Sequence, residues 1–199
     1  LSLQALVTSY IAPAVRGRLS ACFSPHTFRN NPLLYITSLS KYRVTASYCP
    51  SYALSECARA YIRSPLPNID LSNLACLQIG AHHCSLHSMK LFASTFEAVG
   101  LRSSALCPGL YLAECTMHAS FFSAETHHSV IYVDAKRYAE GVIQLVEEGE
   151  TSFALFSFGS AVQGEIVVVD RDLRKRYRMG SLHLSLMNSS YCYRHKQAQ

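Results

Sequence analysis

The chain has 199 residues, 49% of them hydrophobic and only 16% charged, with a formal net charge of +5 at pH 7. That is enough chain to bury the core of one domain, and too apolar a composition for intrinsic disorder. No apolar run approaches the roughly eighteen residues that a membrane-spanning helix needs, so the chain reads as soluble.

Charge and cysteine placement narrow the setting. The first 55 residues carry Arg16, Arg18, Arg29, Lys41 and Arg43 and no acid; Glu56 is the first. A basic, Ser-bearing and acid-free stretch resembles a mitochondrial transit peptide. The eight cysteines are irregularly spaced and make no CxxC pair. Cys57, Cys76 and Cys107 lie in apolar segments, where Cys behaves as a small buried hydrophobe. Free thiols point to a reducing, cytoplasmic compartment, with the mitochondrion as the alternative. The domain reading is a basic N-terminal segment of helix plus loop over 1–40, an α/β domain over 41–187 and a polar tail over 188–199.

In chain order, a helix is expected from Ser2 to Ala12, ended by Pro13. Pro25 and Pro32 punctuate a loop-like stretch. Lys41 to Tyr48 alternates with β-branched and aromatic residues and reads as a strand. A helix from Tyr52 to Ile62 follows, with Ser51 as its N-cap. Leu74 to Ala81 is an apolar run, either a buried strand or a helix start. Ser85 to Val99 is a helix with Leu86, Met89, Phe92, Ala93, Phe96 and Val99 on one face and Gly100 past its end. The apolar run Ala105 to Ala113 is interrupted by Pro108 and Gly109. Val130 to Val133 is a strand, and Asp134 caps a helix running from Ala135 to Glu148, closed by Gly149. Ser152 to Phe158 and Glu165 to Val169 are strands joined by a small-residue turn. Leu182 to Met187 is the last strand. Strands alternating with helices imply an α/β fold with a mixed or mostly parallel sheet covered by helices.

Cys84 stands out because it falls between an apolar run and the start of the strongest helix. Free N–H groups and a partial positive charge at a helix start favour thiolate over thiol. His82 and His83 precede it and His87 lies one turn on, so Cys84, His83 and His87 form the candidate catalytic set. The bland alternative is a half-buried cysteine among surface histidines. His83 and His87 also have i, i+4 spacing, and Cys115 with His118, or His127 with His128, would complete a tetrahedral set, but no zinc signature results. His128, Glu147, Glu148 and Cys192 follow a papain-like order with too little chain after the cysteine. Glycine-rich phosphate loops are absent, so nothing here supports nucleotide binding. Arg171, Arg174, Lys175, Arg176 and Arg178, in the run RDLRKRYR, form either a solvated face or a dock for an acidic partner. With only Tyr177 interleaved, the run is weak evidence for nucleic acid.

The succession VTASY, YALSECARAYI, LQIGAHH, then Cys84 opening a helix, then SALCPGLYLAEC and ALFSFGSAVQGEIVVVDRD, resembles the N-terminal half of the thiolase-fold condensing enzymes. The likeness is to the ketoacyl-acyl-carrier-protein synthase III-like group. The turn FGSAVQGE departs from the family's FGDGA, and a C-terminal half bearing its catalytic His is absent. The resemblance implies an acyltransferase of fatty acid or polyketide metabolism with Cys84 as acyl acceptor. It also implies pairing with a second chain as a dimer or hetero-oligomer. It requires no cofactor beyond acyl-CoA or an acyl carrier protein as substrate carrier, and the basic run would dock either anion. The rival reading is a non-catalytic subunit of a large assembly, such as a mitochondrial or ribosomal accessory protein.

Overall fold

The computed structural model describes residues 3–80, 85–111, 118–121, 130–140, 142–161, 168–169 and 176–177. Its first element is an N-terminal helical arm, α1 (Leu3–Leu6), a π-helical turn over Val7–Ile11, and α2 (Ala12–Arg16). Pro13 does not end this arm as expected. Proline removes one hydrogen bond and crowds the preceding carbonyls, and the wider π turn just before it relieves that crowding. The arm stops instead at Gly17, whose φ of 60° is left-handed.

Two helices occupy the stretch expected to be loop-like. α3 (Pro25–Asn30) begins at Ser24, whose hydroxyl accepts the Thr27 N–H at 3.1 Å. α4 (Leu33–Lys41) places Tyr35, Ile36 and Leu39 in the core. The expected strand over 41–48 is correspondingly shorter: Lys41 closes α4, Arg43 turns with a positive φ of 48°, and β1 is Ala46–Cys49.

The central unit is β1, α5 (Ser51–Arg63), β2 (Cys76–Ile79), α6 (Leu86–Phe96) and β3 (Leu106–Tyr111). Strands β1, β2 and β3 are consecutive and parallel, with Ala46 beside Cys76 and Leu77 beside Leu106. Two right-handed crossovers between neighbouring strands put both helices on one face of the sheet. Leu77 and Ile79 accordingly point into a core shared with Leu54, Ala58, Met89, Phe92 and Phe96. Phe92 and Phe96 are fully buried, with ring centroids 4.7 Å apart. The helix expected over Ser85 to Val99 is present as α6 plus one 3-10 turn, Glu97–Val99. It ends at Gly100, where φ is 92° and an added Cβ would press on Ser72 at 3.1 Å.

β3 continues the sheet in the other sense. β4 (His118–Phe121) pairs with it antiparallel. Pro108 stands at the changeover, since the β2 ladder ends at Pro108 and the β4 ladder begins at Gly109. A missing N–H disrupts a sheet least at such a point.

β5 (Val130–Asp134) leads into α7 (Ala135–Ala139), capped by Asp134 Oδ1, which accepts the Arg137 N–H at 2.8 Å. The fourteen-residue helix expected here is corrected to these five residues. β6 (Leu145–Val146) and β7 (Ser152–Phe156) flank β5 in a three-stranded antiparallel sheet. Val142, Ile143 and Val146 are β-branched and favour extended over helical backbone, and Val146 pairs with Tyr132. β8 (Ser160–Ala161) makes a strand of what was expected to be turn and joins the main sheet beside β4. Among the described residues the main sheet thus has five strands in the order β1-β2-β3-β4-β8. β9 (Val168–Val169) and β10 (Arg176–Tyr177) form a separate antiparallel pair. The expected strand over 182–187 and the tail lie outside the described residues.

The α/β reading with a mixed sheet holds. Among the described residues no helix is long and apolar enough to cross a membrane, and Cys22, Cys49, Cys57, Cys76 and Cys107 are free thiols.

Candidate ligand site at the carboxyl edge of the sheet

In an open α/β sheet, ligands bind in the crevice beyond the carboxyl ends of the parallel strands. Here that edge is set by the ends of β1, β2 and β3, from which α5 and α6 depart. The two helix starts are tied together by serines. Pro50 occupies the N-cap position of α5, leaving Ser51 as the first helical residue and not the cap expected from the sequence. The Ser51 hydroxyl instead accepts the Ser85 N–H at 2.9 Å. Ser85 caps α6 by accepting the Ser88 N–H at 3.2 Å, and the buried Ser55 hydroxyl donates to Ser88 Oγ at 2.6 Å. Four small hydroxyls therefore satisfy donors that would otherwise be stranded at a buried helix junction.

On the opposite face from the helices, alternation along the strands lines up Tyr48, Gln78 and Cys107 across β1, β2 and β3. The Tyr48 hydroxyl donates to the Gly80 carbonyl at 3.0 Å, and its ring meets Tyr111 edge-to-face at 5.8 Å. The Gln78 side-chain oxygen is buried with no hydrogen-bond partner among the described residues. A buried acceptor of this kind favours a donor supplied from outside. The Cys107 thiol donates to the Ala105 carbonyl at 3.4 Å; the neighbouring Cys107 thiol holds Cys76 below the usual thiol range, while Cys76 and burial push Cys107 up. On the helix face, burial raises Tyr35, whose hydroxyl meets Ser47 Oγ at 2.9 Å.

Of the residues singled out from the sequence, His87 is exposed in the first turn of α6. Cys84, His82 and His83 lie outside the described residues, as do Cys115, His127, His128, Cys192, Arg171, Arg174, Lys175 and Arg178. Arg176 lies in β10, paired with Val169. Among the described residues no group of three or more His, Cys, Asp or Glu is placed to hold a metal. Glu148 forms an exposed ion pair with Lys90 at 3.6 Å, and its hydrogen bond with Tyr132 raises that phenol. Tyr48, Gly80 and Tyr111 escaped notice in the sequence. The available signal was a glycine at or near the end of each of two apolar runs, LQIGA and LCPGLY, since strand glycines mark close backbone approach.

No family model matches the chain. The adenylation domain of a keto acid-selecting NRPS module bound to keto acyl adenylate matches with a TM-score of 0.77 at 16% identity, over 88% of this chain and 33% of that one. A fatty acyl-adenylate ligase from Legionella pneumophila, solved with acyl adenylate and pyrophosphate, matches with a TM-score of 0.78 at 24% identity, over 85% of this chain and 30% of that one. The fold is that of part of an adenylation domain. In sequence, the chain is 34% identical over 115 residues to the medium-chain-fatty-acid–[acyl-carrier-protein] ligase JamA of Moorena producens (strain JHB), covering 58% of this chain and 19% of the ligase. The chain spans from about a fifth to three tenths of the length of the curated relatives it matches.

These likenesses overturn the resemblance to the condensing enzymes. The thiolase-like half, the acyltransferase reading and Cys84 as a nucleophilic acyl acceptor are all corrected by an adenylation-domain fold and ligase relatives. The physical reason is that strand–helix–strand periodicity specifies local elements but not the order in which strands join the sheet. Both folds meet the same local pattern. The pairing expected through thiolase-like sheets loses its ground with that resemblance.

Proposed function

We propose that the chain forms part of an acyl-adenylate-forming ligase and supplies one wall of its acyl-adenylate site. The observation that carries this reading is the likeness of fold to the Legionella ligase solved with acyl adenylate and pyrophosphate. The identity to a medium-chain-fatty-acid–[acyl-carrier-protein] ligase supports a medium-chain fatty acid as the acyl group and a carrier protein as its acceptor. In such chemistry a carboxylate attacks the α-phosphate of ATP and releases pyrophosphate, and the mixed anhydride then passes its acyl group to a thiol. The cysteines of this chain need play no covalent part, because the accepting thiol belongs to the carrier. The reading brings in a nucleotide for which the sequence offered no phosphate-loop signal. The crevice beyond β1, β2 and β3 is the place for the adenylate, with the orphaned Gln78 oxygen facing the same side as Tyr48.

Carrier proteins and coenzyme A are both anionic, and the run Arg171, Arg174, Lys175, Arg176 and Arg178 gives either one a cationic contact. The test is calorimetric titration of the chain with decanoyl sulfamoyladenosine, a stable mimic of a medium-chain acyl adenylate. Saturable binding that decanoyl adenylate competes away is expected. Absence of saturable binding rejects the reading.

A further inference from the structure

From Leu3 to Arg16 the N-terminal arm is helical without a break: Leu6 and Ile11, at the joins between its three short elements, both keep right-handed helical backbone. At 1.5 Å per residue that is about 20 Å of helix. Its faces are the reverse of what a helix in water needs. Ala5, Val7, Thr8, Ser9 and Pro13 are half-buried, whereas Leu6, Tyr10, Ile11 and Val15 are exposed, Val15 at 79%. Two hydroxyl side chains are sheltered while four large apolar ones meet solvent. Leu6 with Tyr10, and Ile11 with Val15, are neighbours along one side of the helix. Leu19 adds an exposed side chain past the Gly17 turn. Phe23, just before α3, meets the core Tyr35 ring edge-on at 6.2 Å and moors the arm to α4. Arg16 and Arg18 are exposed at the end of the arm, Arg29, Lys41 and Arg43 are exposed beyond it, and the first acid in the chain is Glu56. Among the described residues none of these five cations forms an ion pair.

We propose that this arm is an interfacial anchor that lies on an anionic lipid surface, with Leu6, Tyr10, Ile11, Val15 and Leu19 among the acyl chains and Arg16 and Arg18 at the lipid phosphates. A helix with an apolar stripe and flanking cations settles in the plane of such a surface, about 5–10 Å into the headgroup boundary. Tyr10 suits that depth, with an apolar ring and a hydroxyl that reaches the wet layer. The arm lies on the surface and does not cross it, since no helix among the described residues is long and apolar enough to do so. Charge decides the occupant. A second copy of the arm would bring cation against cation. A nucleic acid would meet the arginines but leave the aliphatic side chains in water, because only Tyr10 of the stripe offers a ring on which a base can stack. An anionic bilayer meets both needs at once. Each arginine held near such a surface strengthens binding by a factor of about five.

The experiment is co-sedimentation of the chain with vesicles of equal parts phosphatidylglycerol and phosphatidylcholine, beside vesicles of phosphatidylcholine alone. Wild type is expected to bind the mixed vesicles about tenfold or more tightly than the neutral ones. Arg16→Glu with Arg18→Glu should erase that difference, and Ile11→Glu with Val15→Glu should abolish binding to both. Binding of either double variant equal to that of wild type overturns the proposal. Over Val7–Ile11 and Ala12–Arg16 the arm has no buried residue, so both variants should melt as wild type does. A lowered midpoint would show that the face packs within the chain, and would overturn the proposal. A second readout needs neither variant. The chain has no tryptophan, so Tyr10→Trp places a single reporter in the stripe, and its emission should shift to the blue on the mixed vesicles. Sedimentation without that shift overturns the arm as the anchor. A wild-type dimer that Ile11→Glu with Val15→Glu converts to monomer would give the face to a second copy and overturn the lipid surface as its occupant.

Discussion

Cys57 shows how one side chain carries information about its surroundings. It is fully buried in α5, and its thiol donates to the Pro32 carbonyl at 3.6 Å, tying α5 to the start of α4. Burial, with a smaller contribution from the nearby Glu56 carboxylate, pushes its pKa up from 9.0 to about 12. The folded state therefore holds this proton more tightly than the unfolded chain does. Its contribution to stability is complete below pH 9 and is lost as the pH rises from there towards 12. Urea midpoints measured at pH 8 and pH 10.5 should fall further for wild type than for Cys57→Ala; equal falls would show that the thiol does not titrate on unfolding. The burial of Cys57 and Cys107 was legible from their apolar neighbours. That Cys107 and Cys76 influence each other's titration was not, because their proximity depends on the β2–β3 register.

The element with the clearest sequence signature, α6, was also the one read most completely. Its apolar spacing and Gly100 stop are local features that act through backbone geometry within a few residues; Ser85, expected as its first helical residue, is instead its cap. Phe96 from this helix packs against Tyr61 of α5, with ring centroids 4.9 Å apart, and Phe92 packs against Phe96. Phe92→Ala removes a fully buried ring and is expected to cost about 3–5 kcal/mol, read as a loss of urea midpoint with an unchanged slope. A cost below about 1 kcal/mol would mean that the site repacks or that α6 is held chiefly by the serine junction. α7 marks the opposite case. The apolar residues after Ala139 fit a helical face, yet Leu145 and Val146 gain the backbone partners of β5. A long-range ladder decides between helix and strand for so short a β-branched stretch.

At the level of the whole molecule, the charge distribution is the feature most open to direct test. Reversing Arg174, Lys175 and Arg176 to Glu should weaken binding of an acyl carrier protein several-fold while leaving the thermal midpoint unchanged; a lowered midpoint would mean that the run serves the fold and not a partner. Raising salt should mimic the reversal, because screening cuts the reach of exposed charges to about 10 Å at 0.1 M. Binding indifferent to both changes would mark the run as a solvated face. The N-terminal arm is a second feature at this scale, with Tyr10, Ile11, Val15 and Leu19 exposed beside Arg16 and Arg18. Over Val7–Ile11 and Ala12–Arg16 the arm has no buried residue.

The sequence by itself determined the α/β class, the helix after β2 with its Gly100 end, the Asp134 cap and the thiol state of the described cysteines. Those depend on spacing of apolar residues, on capping hydroxyls and carboxylates, and on composition, all of which act locally. Only the tertiary structure decided the strand order β1-β2-β3-β4-β8. It also decided that Gly80 and Gly109, 29 positions apart in the chain, both lie against the Tyr111 side chain. A glycine in a strand is a gap until its neighbour across the ladder is known, and hydrogen-bonded register between distant segments supplies that neighbour.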